Sequence, residues 1–283
     1  MSEAITPPPA PAGTVAEALN AAKGALAARG IESARIDAEL LLAEATGRER
    51  AALIADGDGP VDAKAARAFG TMVRRRLQRE PIAYILARKG FRRIELRVDR
   101  RVLVPRPETE LLVELALELS PSTVLDVGTG SGAIALAVAD ELPGVTVVAT
   151  DTSESALAVA AENASLLGFA DRVELLAGSV PADRSFDLIL ANLPYVPAGD
   201  RATIQEEVRH EPAEALYAGS DGLEVIRSLL SAPLPSEAIG LEVGEGQADA
   251  VVALVAAAGF AAVETRRDLA GIERLVVGRG GSR

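Results

Sequence analysis

From residue 14 the apolar positions repeat at helical spacing. Val15, Leu19, Ala22 and Leu26 share one face, Thr14 and Glu17 have capping-box spacing, and Gly30 is placed to end the helix. A second helix is predicted over Ala38–Ala45, closed by Gly47, and a third from Asp62 to Gln78, broken before Pro81. The period then changes. Residues 91–106 alternate apolar and charged, the pattern of a solvent-facing β-hairpin. Beyond residue 108, apolar strand runs at 123–128, 145–151, 172–178, 186–192 and 237–243 are separated by helical stretches. Such alternation predicts a parallel sheet covered on both faces. Two last strands, 261–267 and 274–279, are too close for a helical crossover and are expected to pair as an antiparallel hairpin or to flank a loop. Residues 1–13 are Pro/Ala-rich and aperiodic, which predicts a disordered tail. The expected organisation is that tail, a helical domain over 14–88, a hairpin linker over 89–107 and an α/β domain over 108–283.

Composition narrows the chemistry. With no cysteine, a disulfide framework, a thiolate zinc site and a cysteine nucleophile are all excluded. The single histidine, His210, strains a histidine metal site or a Ser-His-Asp triad, and reads as an ordinary hydrogen-bonded residue. No apolar run reaches the ~20 residues that span a bilayer, and the N-terminus lacks a signal-peptide pattern, so a cytoplasmic protein without a membrane partner is expected. The net charge of -12 argues against nucleic acid as a direct partner. Charge nevertheless segregates: residues 74–106 hold twelve basic side chains against Glu80, Glu95 and Asp99. A solvated helix face followed by a hairpin accounts for most of them, and a docking surface for an acidic partner is the functional alternative. Oligomeric state is not legible, and a monomer is the default.

The chemistry-bearing segments lie at strand ends. Asp126-Val-Gly128-Thr129-Gly130-Ser131-Gly132-Ala133 joins the first strand of the sheet to a helix beginning at Ile134. Glycines there allow a sharp turn and close approach of a ligand. Asp151, ending the second strand, is placed to accept hydrogen bonds from ribose hydroxyls. These residues alone also fit a dinucleotide fingerprint, so NAD competes. Asp126 ahead of the loop disfavours a pyrophosphate and favours a cationic ligand such as S-adenosylmethionine.

The fourth strand ends in Asn192-Leu193-Pro194-Tyr195. Ligands of open α/β sheets bind beyond the carboxyl ends of the strands, so this corner faces the glycine loop if strands one and four are neighbours. A planar NH2 group is a poor nucleophile and must be held in line with the methyl it attacks. Its two N–H bonds need acceptors, which the Asn192 side-chain carbonyl and the Leu193 backbone carbonyl can supply. Tyr195 can pack on the planar group. No general base is needed, because the methylated, protonated nitrogen is acidic enough to lose its proton to water.

With these residues in view, the chain resembles the HemK/PrmC family of release-factor glutamine N5-methyltransferases, over nearly all its length after residue 14. The most specific match is Val104-Pro105-Arg106-Pro107-Glu108-Thr109-Glu110; Asp126–Gly132, Ala149-Thr150-Asp151, Glu211-Pro212, Gly222-Leu223-Glu224 and Leu241-Glu242-Val243-Gly244 add to it. The resemblance implies a Rossmann-like class I methyltransferase fold, with a seven-stranded, mostly parallel sheet behind a substrate-docking helical domain. It implies S-adenosylmethionine as cofactor, class I peptide release factors as protein substrate, and the glutamine of their Gly-Gly-Gln loop as acceptor. By position, Gly128–Gly132, Asp151 and Asn192 would contact the cofactor, Val180 would lie against the adenine, and Asn192–Tyr195 would hold the glutamine. Leu193 departs from the family's usual proline, and Ser179 stands where an acid often meets adenine. The Asn-Leu-Pro-Tyr corner also resembles ribosomal-RNA adenine methyltransferases. Glutamine methylation of a ribosomal protein and a non-catalytic cofactor-binding regulator complete the alternatives.

Overall fold

The computed structural model describes residues 13–281. The tail expected over 1–13 therefore lies outside the described residues except for Gly13. The chain divides into two compact units between Leu86 and Ala87.

The first unit is helical: α1 (Val15–Ala28), α2 (Ala34–Thr46), α3 (Arg50–Ala55), α4 (Ala63–Leu77) and α5 (Ile82–Leu86). The Thr14 side chain accepts from the Glu17 backbone while the Glu17 carboxylate accepts from Thr14 N–H, a complete capping box. The Asp62 side chain caps α4 through the N–H groups of Lys64 and Ala65. Val15, Leu26, Leu41, Leu42 and Phe69 meet in the core. Periodicity passed over α3 and α5, which are too short to show a helical repeat.

The second unit opens with the hairpin β1 (Arg88–Phe91) and β2 (Ile94–Arg97). It is shorter than the alternation suggested, and it is solvent-facing on one side only. Phe91, Ile94, Leu96 and Val98 are buried. Asn163 clamps it from behind, accepting from Arg97 N–H and donating through Nδ2 to the carbonyls of Arg97 and Ser131. The hairpin thus packs as part of this unit. Much of the basic run is likewise engaged internally: Arg75 pairs with Glu80, Arg76 with Asp37, Arg92 with Glu141 and Arg106 with Glu211.

Then come α6 (Glu110–Leu119), β3 (Thr123–Val127), α7 (Ala133–Glu141), β4 (Thr146–Asp151), α8 (Glu154–Leu167), β5 (Val173–Ala177), β6 (Phe186–Ala191), α9 (Glu224–Ser231), β7 (Ser236–Glu242), α10 (Ala248–Ala257), β8 (Ala262–Arg267) and β9 (Glu273–Arg279). The strands form one seven-stranded sheet in the order β5-β4-β3-β6-β7-β9-β8. β3 to β7 run parallel, and β9 is antiparallel to both β7 and β8. Every strand expected from the apolar runs is present. The chain steps outward from β3 through β4 to β5, then returns to β6 on the other side of β3. That reversal is the switch point at which a crevice opens. Asp187 helps set the register there: its carboxylate accepts from the N–H groups of Ser122 and Thr123, and its own N–H donates to Thr123 Oγ1.

Candidate active site

β3 pairs with β6 so that Asp126 lies opposite Leu190 and Val127 opposite Ala191. The glycine loop and the Asn192–Tyr195 corner therefore leave adjacent strands at the same end of the sheet. Between them, extending along the ends of β4 and β5, lies a cavity of about 320 Å³. Gly128, Thr129, Gly130 and Ser131 line one side, Asp151 and Gly178 the far end, and Asn192, Leu193 and Pro194 the other side.

The two turns touch at one point. Gly128 has φ +75°, and a Cβ there would come within 2.9 Å of Leu193 Cδ2. Leu193 is only 6% exposed and belongs to the core under the sheet end. A left-handed backbone and a close neighbour together require glycine. Asp151 holds the same loop from the side: Oδ2 accepts from Gly130 N–H at 2.9 Å and Oδ1 from Ser153 N–H at 2.9 Å. Each oxygen keeps a lone pair for a ligand hydroxyl.

Asp126 does something other than expected. It is fully buried, does not line the cavity, and braces the loop from beneath. Oδ2 accepts from Thr129 Oγ1 at 2.6 Å and from Ala135 N–H at 3.2 Å, while Oδ1 is buried without a partner among the described residues. Burial pushes its carboxyl up to about 7, against the pull of the Thr129 and Ala135 hydrogen bonds.

On the other side, Asn192 Nδ2 donates to Thr109 Oγ1 at 3.0 Å. Tyr195 does not line the cavity; its hydroxyl donates toward Glu242 Oε1 at 3.4 Å, and its backbone carbonyl accepts from Gln247 Nε2 at 2.9 Å. Burial raises the Tyr195 hydroxyl above its ordinary range. Two further expectations are displaced. Gly132 caps α7 outside the cavity lining, and Val180 packs on the core while Gly178 and Ser179 face the cavity. His210 also lies outside the lining.

The wall opposite the glycine loop is built by the Val104–Glu110 segment. Glu211, 6% exposed, accepts from Val104 N–H at 2.9 Å and from Arg106 Nη2 at 2.6 Å. Burial pushes this carboxyl up, and Arg106 pulls it back. The Val104–Glu110 and Glu211-Pro212 segments are one structure, joined by a partly buried ion pair.

A model of the PrmC N-terminal domain matches residues 17–86, and one of the methyltransferase small domain matches residues 107–234. The chain is 40% identical to the release factor glutamine methyltransferase of Geobacter sulfurreducens, across 94% of this chain and 96% of that protein. The chain belongs to the release factor glutamine methyltransferase family. It is also 43% identical to the Cereibacter sphaeroides member, across 93% of this chain and 98% of the relative. Over 65% of this chain and 75% of the other, the fold is similar to that of the hMettl16 catalytic domain, with a TM-score of 0.55 at 14% identity.

Within this family frame, residue-by-residue reading missed Thr109 and Glu242. Both lay in plain sight inside quoted motifs, yet nothing local to either motif says that one strand end and one helix start meet behind Asn192.

Proposed function

We propose that this cleft transfers a methyl group from S-adenosylmethionine to the side-chain amide nitrogen of a glutamine in a peptide release factor. The observation that carries the reading is the β3–β6 pairing, which puts the glycine loop and the Asn192 corner on one cavity. The residues present suit the cofactor. The volume is in the range of small-molecule sites, a Cβ at Gly130 would project into open space, and Asp151 offers a carboxylate beside the loop. Gly128–Ser131, Asp151 and the Gly178–Ser179 turn hold it. When bound, it supplies an electrophilic methyl on a sulfonium.

The chain's own work is on the acceptor. An amide nitrogen has a delocalised lone pair, so its approach and orientation limit the rate. Asn192 Oδ1 accepts one N–H and the Leu193 carbonyl the other, aiming the nitrogen and stabilising the positive charge that grows on it. Leucine keeps that carbonyl where the family usually has proline. Pro105, Pro194 and Pro212 line the cavity beside this corner. The acceptor is the glutamine of the Gly-Gly-Gln loop of class I release factors, which meets this chain in the cytoplasm, with the helical unit as the docking domain.

The test is labelled methyl transfer into separated release factors, ribosomal proteins and ribosomal RNA, with Asn192→Ala beside the native chain. Label enters release factors, and Asn192→Ala lowers turnover about 100- to 1,000-fold with cofactor affinity kept. Label confined to RNA, or near-native turnover by Asn192→Ala, refutes the assignment.

A further inference from the structure

Behind Asn192 lies a buried polar run that the reaction as described leaves idle. Thr109, 3% exposed, accepts from Asn192 Nδ2 at 3.0 Å. Its hydroxyl faces the carboxyl of Glu242, which is 2% exposed at the end of β7, and favours the charged form of that carboxyl. Tyr195 brings its hydroxyl to the same carboxyl. Glu242 Oε2 has no hydrogen-bond partner among the described residues. A carboxyl buried with an oxygen left over costs stability, so its place calls for a return elsewhere.

The polarity of the run is set by its chemistry. A threonine hydroxyl has one proton. Since Oγ1 already accepts from Asn192, its proton is free to turn toward Glu242, the carboxyl that the Tyr195 hydroxyl also meets. Two consequences follow for Asn192. Its NH2 end is committed to Thr109, which leaves Oδ1 as the end available to the cavity. Hydrogen bonds in series polarise one another, so an amide whose N–H is drawn toward a carboxyl carries more negative charge on its oxygen, most of all once that carboxyl is ionised.

We propose that Thr109 and Glu242 are positioning residues for methyl transfer: they fix the Asn192 amide with its carbonyl oxygen toward the acceptor and strengthen that oxygen as an acceptor. The inference rests on the role given to Asn192 above. It joins three motifs of the chain, the 104–110 segment, the Asn-Leu-Pro-Tyr corner and Leu241–Gly244, into one device. Thr109 is the hydrogen-bond partner of the Asn192 amide among the described residues, and an amide turned over would present an N–H to an N–H.

The experiment uses the full chain with a release factor as acceptor. It compares Thr109→Val, which keeps the shape, Thr109→Ser, which keeps the hydroxyl, and Glu242→Gln, which keeps an acceptor without the charge. Thr109→Val should lower kcat about 10- to 100-fold while KM for cofactor and calorimetric cofactor affinity stay within about twofold of native. Thr109→Ser should recover to within a few-fold, and Glu242→Gln should fall between. As an activity-independent readout, the Asn192 side-chain NH2 resonances of nitrogen-15-labelled protein should lose their shift and their protection from solvent exchange in Thr109→Val. Native kcat in Thr109→Val overturns the relay, as does equal damage in Thr109→Val and Thr109→Ser. If Thr109→Val does not fold, Glu242→Gln decides: a selective kcat loss supports the relay and native kcat overturns it. Asn192→Ala is run in parallel. If it stays active, the Asn192 reading has failed; if it is inactive while Thr109→Val is native, only the relay has.

Discussion

Gly128→Ala tests the contact on which the site depends. At φ +75°, alanine incurs about 1 kcal/mol of left-handed strain. The new Cβ would also sit 2.9 Å from Leu193 Cδ2, where ordinary carbon contacts are about 3.5–4.0 Å. Leu193 is 6% exposed and packed in the core, so overpacking adds about 1–3 kcal/mol. Together that is about 2–4 kcal/mol of lost stability. Two controls separate the contributions. Gly130→Ala lies at φ +56° with nothing within 4 Å of the new Cβ, so it should show the strain alone. Leu193→Ala removes the clashing methyl. Alone it costs about 2–5 kcal/mol as a core truncation, but combined with Gly128→Ala it should recover about 1–3 kcal/mol relative to the sum of the singles. Denaturant unfolding of the ligand-free single and double variants measures all of this. If the Gly128 and Leu193 effects add to within about 0.5 kcal/mol, the two turns do not touch, and the convergence of loop and corner is wrong.

Other consequences follow from the same geometry. Asp151→Ala removes the acceptor for Gly130 and Ser153 N–H as well as the carboxylate facing the cavity, so calorimetric cofactor affinity should fall at least tenfold; native affinity would refute its ligand role. Glu211→Ala leaves the buried Val104 N–H without its acceptor and the partly exposed Arg106 without its carboxylate, and the melting temperature should drop as for a loss of about 1–3 kcal/mol. Glu242 is held near 7 by burial in the folded chain against an ordinary 4.5, so the folded state binds the extra proton between those values. Native stability from this group is therefore greatest at low pH and declines as pH rises through that window. Glu242→Gln should become progressively more stable than the native chain from pH 5 to pH 8, by at most about 3 kcal/mol at about 1.4 kcal/mol per unit. A difference independent of pH would show that the carboxyl is not buried as described.

Local chemistry carried much of this protein in the sequence. Helical spacing with the Thr14–Glu17 capping signature, and β runs alternating with helices, are near-neighbour properties, and they marked the main helices and all seven strands of the sheet. The glycine loop and Asn192–Tyr195 were visible for the same reason: a tight turn at a strand end leaves its mark within a few residues. What spacing could not convey was orientation. Asp126 read as a ligand contact because a carboxylate at a strand end can face either way; packing turned it under the loop, onto Thr129 and Ala135. Tyr195 was placed against the substrate, and the fold turned its hydroxyl toward Glu242, 47 residues away. Thr109 and Glu242 come together behind Asn192 only because α6 starts, and β6 and β7 end, at the same edge of the sheet. Which strands are neighbours is settled by how the whole chain buries its apolar faces, and no window along the sequence contains that information.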